Sequence, residues 1–182
     1  MTYSIDIAGL KRELPICPVS DTLSIGAFVI FGDVELTVHC ASELLKLMPE
    51  VDLLIAPEAK AIPLIYEMAR QSGKPYLLAR KKAKAYMSGV FEVKVQSITT
   101  AGEQTLVIDS ADAEAMRGKR VAIIDDVIST GESLRAMEEL VNKAGGVIVS
   151  KMAVLAEGDA IDRPDITVLA PLPLFHPDGT LM

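Results

Sequence analysis

A chain of 182 residues with a formal net charge of −7, half of it hydrophobic and only 4% aromatic, suffices for one domain (residues 1–182) whose aliphatic core suits buried parallel strands. The negative balance argues against a nucleic-acid partner, no apolar run reaches membrane-spanning length, and the first ten residues show no leader pattern. Cys17 and Cys40 form no CxxC pair and read as reduced thiols of a cytoplasmic protein, while His39 and His176 lie too far apart in sequence to suggest a metal site.

An N-terminal appendage reaches to about Gly32 and carries Pro15, Pro18 and an apolar run at 28–31. Asp33 is of the type that caps a helix, here running to about Met48. Leu36, Cys40, Leu44 and Met48 repeat every fourth residue and give it one buried stripe. Residues 51–56 read as a short buried strand, 57–60 as a loop, and a helix follows to about Arg70. Gly73 and Lys74 end it, and 75–79 form the next strand, so 51–79 is a βαβ crossover. Arg80, Lys81, Lys82 and Lys84 then crowd four cations into five residues. A basic run is usually a solvated face, but at a strand end in an acidic chain it reads as an anion site.

Residues 91–96 alternate apolar and polar, as a half-exposed strand does. A turn at Ala101 and Gly102 joins them to a second strand at 104–108, giving an antiparallel ribbon. Ser110 is expected to cap a short helix to Met116. A strand at 121–125 and a helix from about Glu132 to Ala144 follow. That helix buries Leu134, Met137, Val141 and Ala144 and stops at Gly145 and Gly146. Strands at 147–155 and 166–169 close the chain. The pattern is α/β: a parallel sheet flanked by helices, with an antiparallel ribbon and an N-terminal appendage.

The most informative stretch is Val121-Ala122-Ile123-Ile124-Asp125-Asp126-Val127-Ile128-Ser129-Thr130-Gly131-Glu132-Ser133. Four apolar strand residues lead into two adjacent acids, then into a loop of small hydroxylic residues and Gly that opens a helix. That order suits a sugar phosphate. Carboxylates accept from ribose hydroxyls, and loop amides with Ser and Thr hydroxyls surround a phosphate at a helix start. In open parallel sheets ligands bind at the carboxyl ends of strands.

This stretch resembles, throughout its length, the signature of the type I phosphoribosyltransferases, which use 5-phosphoribosyl-1-pyrophosphate (PRPP). The resemblance implies a Rossmann-like core, a flexible loop over the site and a variable hood, here about residues 1–32. It implies that Asp125 and Asp126 grip the ribose hydroxyls and stabilise positive charge on the ring as pyrophosphate departs. Ser129, Thr130, Gly131, Glu132 and Ser133 would cradle the 5′-phosphate.

Three further segments extend the likeness. Glu58-Ala59-Lys60-Ala61-Ile62-Pro63 resembles the pyrophosphate loop of purine phosphoribosyltransferases, where Gly commonly stands at the place of Ala61. A cis peptide known there in the family would fall between Ala59 and Lys60. Arg80 and Lys81 match an Arg-Lys pair that meets pyrophosphate, and 82–105 would include the closing loop, with Lys84 and Tyr86 as contacts. Residues 97–100 fall where some relatives carry a Tyr and receive no role. Residues 155–159 lie where relatives contact the purine, which makes Glu157 a base-contact candidate. Phe28 or Phe31 offers a ring to a flat base, although an aromatic among Val and Ile is more often core. Residues 23–33 resemble the hood of the xanthine branch, yet Ile30 and Gly158 replace its polar base readers. The segments 58–63 and 155–159 also resemble archaeal hypoxanthine-type and adenine enzymes.

The implied activity is transfer of ribose 5-phosphate from PRPP to a purine, adenine-type favoured, in purine salvage. A hypoxanthine- or xanthine-type enzyme and a non-catalytic PRPP-binding regulator stand as alternatives. Magnesium would enter on PRPP with no direct protein ligand, and a homodimer is implied by the family.

Overall fold

A computed structural model describes residues 1–96 and 103–182; the turn expected at Ala101 and Gly102 and the segment 97–100 lie outside the described residues. The chain opens with β1 (Thr2–Ile7), β2 (Leu10–Pro18) and β3 (Ser24–Gly26). Then come α1 (Val34–Leu47), β4 (Leu53–Pro57), α2 (Ile62–Ser72) and β5 (Tyr76–Ala79). The ribbon β6 (Val90–Gln96) and β7 (Glu103–Asp109) leads to α3 (Ser110–Met116). The second half is β8 (Arg120–Ile128), α4 (Glu132–Lys143), β9 (Val147–Glu157), a 3-10 turn (Gly158–Asp162), β10 (Thr167–Leu172) and β11 (Leu174–Phe175).

Five parallel strands stand in the order β10-β9-β8-β4-β5. Alternation along them sends Leu54, Ala56, Ala122, Ile124 and Val154 to the face covered by α1 and α2. Leu53, Ile55, Val121, Ile123 and Ala153 go to the face covered by α4 and the ribbon. On α1 the Asp33 carboxylate accepts from the Leu36 amide at 3.0 Å, and Leu36, Cys40 and Leu44 form the buried stripe that the spacing predicts. Arg12 on β2 reaches Asp33 at 2.6 Å and Glu35 at 2.7 Å, tying the appendage to the first turn of that helix. Among the described residues no helix is long and apolar enough to cross a membrane.

The appendage is more ordered than the sequence reading expects. β1, β2, β3 and β11 form a four-stranded antiparallel sheet, the hood, with Leu174 opposite Ile25. Three further boundaries move. Asp109, not Ser110, caps α3: its carboxylate accepts from the Ala111 amide at 3.1 Å and also from the Ser88 amide and hydroxyl. A carboxylate has two oxygens and serves both segments, which one hydroxyl cannot. β8 continues past Asp125 to Ile128, because β9 pairs with it as far as Ile128↔Ala156. β10 likewise extends to Leu172, opposite Glu157.

Candidate functional site

The sheet splits where the acids stand. β4 pairs with β8 only to Ile55↔Ile123, whereas β8 runs on beside β9 to Ile128. Strand order also reverses here: β4 leads outward to β5, and β8 leads the other way to β9 and β10. Such a reversal opens a crevice at the carboxyl ends of the strands. A cleft of about 710 Å³ occupies it, lined by Glu58, Ala59, Lys60, Lys81, Thr105, Leu106, Asp125, Asp126 and Ser133, among others. Its size is that of a small-molecule pocket.

Two carboxylates are buried side by side in its floor, Asp125 at 8% exposure and Asp126 at 3%. The Asp126 amide donates to Asp125 Oδ1 at 2.9 Å. Burial first, and then the negative charge of Asp126, push the Asp125 carboxyl well above the usual carboxylate range. Lys60 Nζ lies 2.9 Å from Asp126 Oδ2, but out of hydrogen-bond alignment. That buried oxygen therefore has an ion-pair partner and no hydrogen-bond donor among the described residues. It is an acceptor held ready for a donor from the cleft, since a buried oxygen left without one is costly.

The raised Asp125 has a signed consequence. From the ordinary aspartate value near ~3.9 upward to its raised folded value, the folded protein binds more protons than the unfolded chain. Stability of the ligand-free protein from this group thus falls as pH rises through that window. Asp125→Asn is expected to remove this slope, so the melting temperature of the variant relative to wild type climbs as pH rises from about 4 to 8. Parallel melting curves over that range would contradict it.

The loop after β4 forms one wall. Glu58 Oε2 pairs with Arg80 Nη1 at 3.0 Å, and Glu58 Oε1 accepts from the Lys81 amide at 3.1 Å. The Lys81 amide is the chief reason that the Glu58 carboxyl lies below its ordinary value. Glu58 thereby stitches the loop to the basic run, and Arg80 also lies 5.9 Å from the centre of the Tyr86 ring. The cis peptide joins Glu58 to Ala59, one bond before the expected place. Ala61 sits at the N-cap of α2 with φ −74° and ψ −8°, ordinary right-handed backbone that does not require Gly.

The other wall is the turn from β8 into α4. Gly131 is the N-cap of α4 at φ 81°, a left-handed conformation that suits Gly. The Glu132 amide points to Thr130 Oγ1 at 3.5 Å, and Ser133 lines the cleft. Amides at a helix start are an anion cradle.

The structure brings Ala59, Lys60, Lys81, Asp125, Asp126 and Ser133 together around one cavity. Ala61, Arg80, Ser129, Thr130, Gly131 and Glu132 adjoin it along the chain without forming its lining. Lys84 is solvent-exposed, Phe28 is buried in the core below the hood, Phe31 is half-exposed, and Glu157 is buried at the end of β9; none of the four lines the cleft. Of the lining, Leu106 of β7 carries no role in the sequence reading, and Thr105 only that of the last residue of the expected closing loop. They arrive because Arg80 and Val107 exchange backbone hydrogen bonds, at 2.8 and 2.7 Å, a contact with no local signature. Among the described residues no group of three His, Cys, Asp or Glu side chains is placed to hold a metal.

Comparisons agree with this geometry. Adenine phosphoribosyltransferase of Thermosipho africanus is 27% identical over 164 residues, 89% of this chain and 93% of that protein. Adenine phosphoribosyltransferase of Thermotoga maritima is 37% identical over 59% of each chain. Hypoxanthine/guanine phosphoribosyltransferase of Methanococcus voltae is 32% identical over 60% of this chain and 54% of that one. Several curated relatives are thus matched over less than two thirds of their length, between 54% and 60%. The solved adenine phosphoribosyltransferase of Thermoanaerobacter pseudethanolicus superposes with a TM-score of 0.67 at 24% identity, covering 78% of this chain and 84% of that one, which shows the type I phosphoribosyltransferase fold. The signature strand, the acid pair and the helix start all lie within residues 39–170, the part that matches the phosphoribosyl transferase domain model, and the chain belongs to that family.

Proposed function

We propose that this protein is a purine phosphoribosyltransferase of the adenine type, active in purine salvage. The observation that carries the reading is the buried carboxylate pair, with an Asp126 oxygen lacking a hydrogen-bond donor among the described residues, in one cleft with the start of α4. Asp125 and Asp126 would accept from the ribose hydroxyls. Ser129 to Ser133 would hold the 5′-phosphate, and Lys60, Arg80 and Lys81 would face pyrophosphate. The bond from ribose C1′ to the pyrophosphate oxygen breaks with its electron pair going to pyrophosphate, a bond from C1′ to a purine nitrogen forms, and the proton of that nitrogen passes to the departing pyrophosphate or to water. Negative charge on the carboxylate pair would stabilise the cationic ring between those events. Lys60, now paired with Asp126, would share its charge with pyrophosphate in the loaded site.

Magnesium suits this oxygen-rich site and, carried in on PRPP beside Asp125 and Asp126, would add positive charge at the leaving pyrophosphate. Glu157 and the half-exposed Phe31 are the proposed base contacts; Phe28 is committed to the core. Lys84 would engage on closure of the ribbon. A cytoplasmic homodimer belongs to the same proposal, on the cysteine usage and the family likeness.

The Methanococcus voltae relative, named for hypoxanthine and guanine, supports a second reading with a 6-oxopurine substrate. Initial rates of pyrophosphate release with adenine, hypoxanthine, guanine, xanthine and orotate decide between them. Adenine is expected to lead by at least about 100-fold in kcat/KM, with Glu157 as the hydrogen-bonding group that discriminates. Activity confined to 6-oxopurines would transfer the assignment to the second reading. PRPP binding with silence toward every base would mark a regulator.

A further inference from the structure

One cation beside the anion cradle has no part in the assignment above. A Cβ placed on Gly131 would stand 2.6 Å from Nη1 of Arg163, so the guanidinium lies directly against the Gly131 backbone. Arg163 follows the 3-10 turn after β9 and is half-buried. Its Nε and Nη2 donate to the two oxygens of Asp165, at 3.0 and 2.8 Å. Among the described residues Nη1 makes no hydrogen bond. Asp165 is also held by Lys151 of β9, whose ammonium lies 2.6 Å from Glu138 of α4. A bidentate carboxylate thus sets the plane of the guanidinium, and the Lys151 and Glu138 pair anchors that carboxylate to α4, the helix that Gly131 begins.

We propose that Arg163 is a positioning residue for the sugar-phosphate half of the substrate. Wedged on Gly131, it holds the left-handed turn that aims the amides of 129–133, and it directs its remaining N–H edge to the start of α4. The inference rests on the PRPP reading and assigns a role that reading does not contain. Lys60 and Lys81, the cations proposed to face pyrophosphate, line the cleft itself, whereas Arg163 lies behind the Gly131 turn. The geometry calls for the planar fork of arginine and not only for a positive charge, since lysine offers no second nitrogen to hold Asp165 while touching Gly131.

The test is calorimetric titration of wild type, Arg163→Met and Arg163→Lys with ribose 5-phosphate and, separately, with magnesium pyrophosphate, joined to steady-state kinetics. Arg163→Met and Arg163→Lys are each expected to weaken ribose 5-phosphate and raise KM for PRPP by about tenfold, the cost of a phosphate turn no longer held in place. Pyrophosphate affinity and KM for the base are expected to stay within about twofold of wild type. Equal losses for both ligands, or undiminished ribose 5-phosphate affinity in both variants, would overturn the proposal while leaving the PRPP site standing. A wild-type protein that binds neither ligand would bring down the site assignment and this role with it.

Discussion

Asp126→Asn is expected to lower turnover by about 10²–10³-fold, the loss that follows removal of one preorganised group facing transition-state charge. The same change is expected to raise the melting temperature of the ligand-free protein by about 2–4 °C, which is about 1 kcal/mol for a chain of this size. Both arise from one arrangement. Two carboxylates are buried next to each other, Asp126 Oδ2 has no hydrogen-bond donor among the described residues, and Asp125 resists ionisation because of its burial and its neighbour. Asn keeps the shape and removes the charge, so the repulsion goes, while burial, the larger cause of the raised Asp125 value, remains. Lys60 is half-exposed and turns to water without penalty. Stability and activity therefore move in opposite directions, as they do where a site stores unfavourable charge for use on substrate. Thermal melts beside saturating turnover check both halves; an Asn variant with full turnover would remove Asp126 from the mechanism.

Gly131→Ala is expected to lower kcat/KM for PRPP by about 100-fold, the scale of a misplacement of about 1 Å in a positioning group. A stability loss of about 1–2 kcal/mol should accompany it, since an L-residue must take up the left-handed backbone. Gly131 stands at φ 81°, and the new methyl would meet Arg163 Nη1 at 2.6 Å, closer than real contacts allow. Either the turn or the guanidinium must move, and each disturbs the amides at the start of α4. Gly118 supplies the control: its φ is 69°, nothing lies within 4 Å of its Cβ position, and it is remote from the cleft lining. Gly118→Ala carries the backbone penalty alone and is expected to lose no more stability than Gly131→Ala in urea denaturation while keeping PRPP kinetics. Equal kinetic constants for the two variants would show that the turn does not aim the phosphate.

Residues close in sequence were readable where one physical signal dominated. The stripe on α1 with Asp33 at its start, the βαβ unit, and the strand-acid-loop-helix run of 121–133 each carry their pattern within one short stretch. The hairpin of β1 and β2 hid for two reasons. Its two-residue loop has positive φ at both positions, 51° at Ala8 and 93° at Gly9, a turn whose first position normally holds Asn or Asp. Pro15 and Pro18 also lie inside β2, where proline speaks against a strand. The bridge from Glu58 to Arg80 and Lys81 joins segments that each read correctly alone, but their meeting depends on β4 and β5 pairing side by side. Phe28 and Phe31 differ in fate because the chain turns at 31–32, which leaves one ring in the core and the other half in water.

The closing of the hood by β11 bears on how the molecule assembles. β3 finds its second partner only at Leu174 and Phe175, nearly the whole chain away, and the Met182 amide then reaches back to the Leu174 carbonyl at 3.0 Å. Contacts of such separation in sequence form late and slowly. The outer edge of β3 must therefore wait until residues 174 and 175 have been made. In the finished protein β11 latches that edge, with Phe175 buried and its ring 5.1 Å from that of Tyr3 on β1, so the last strand of the hood locks onto the first.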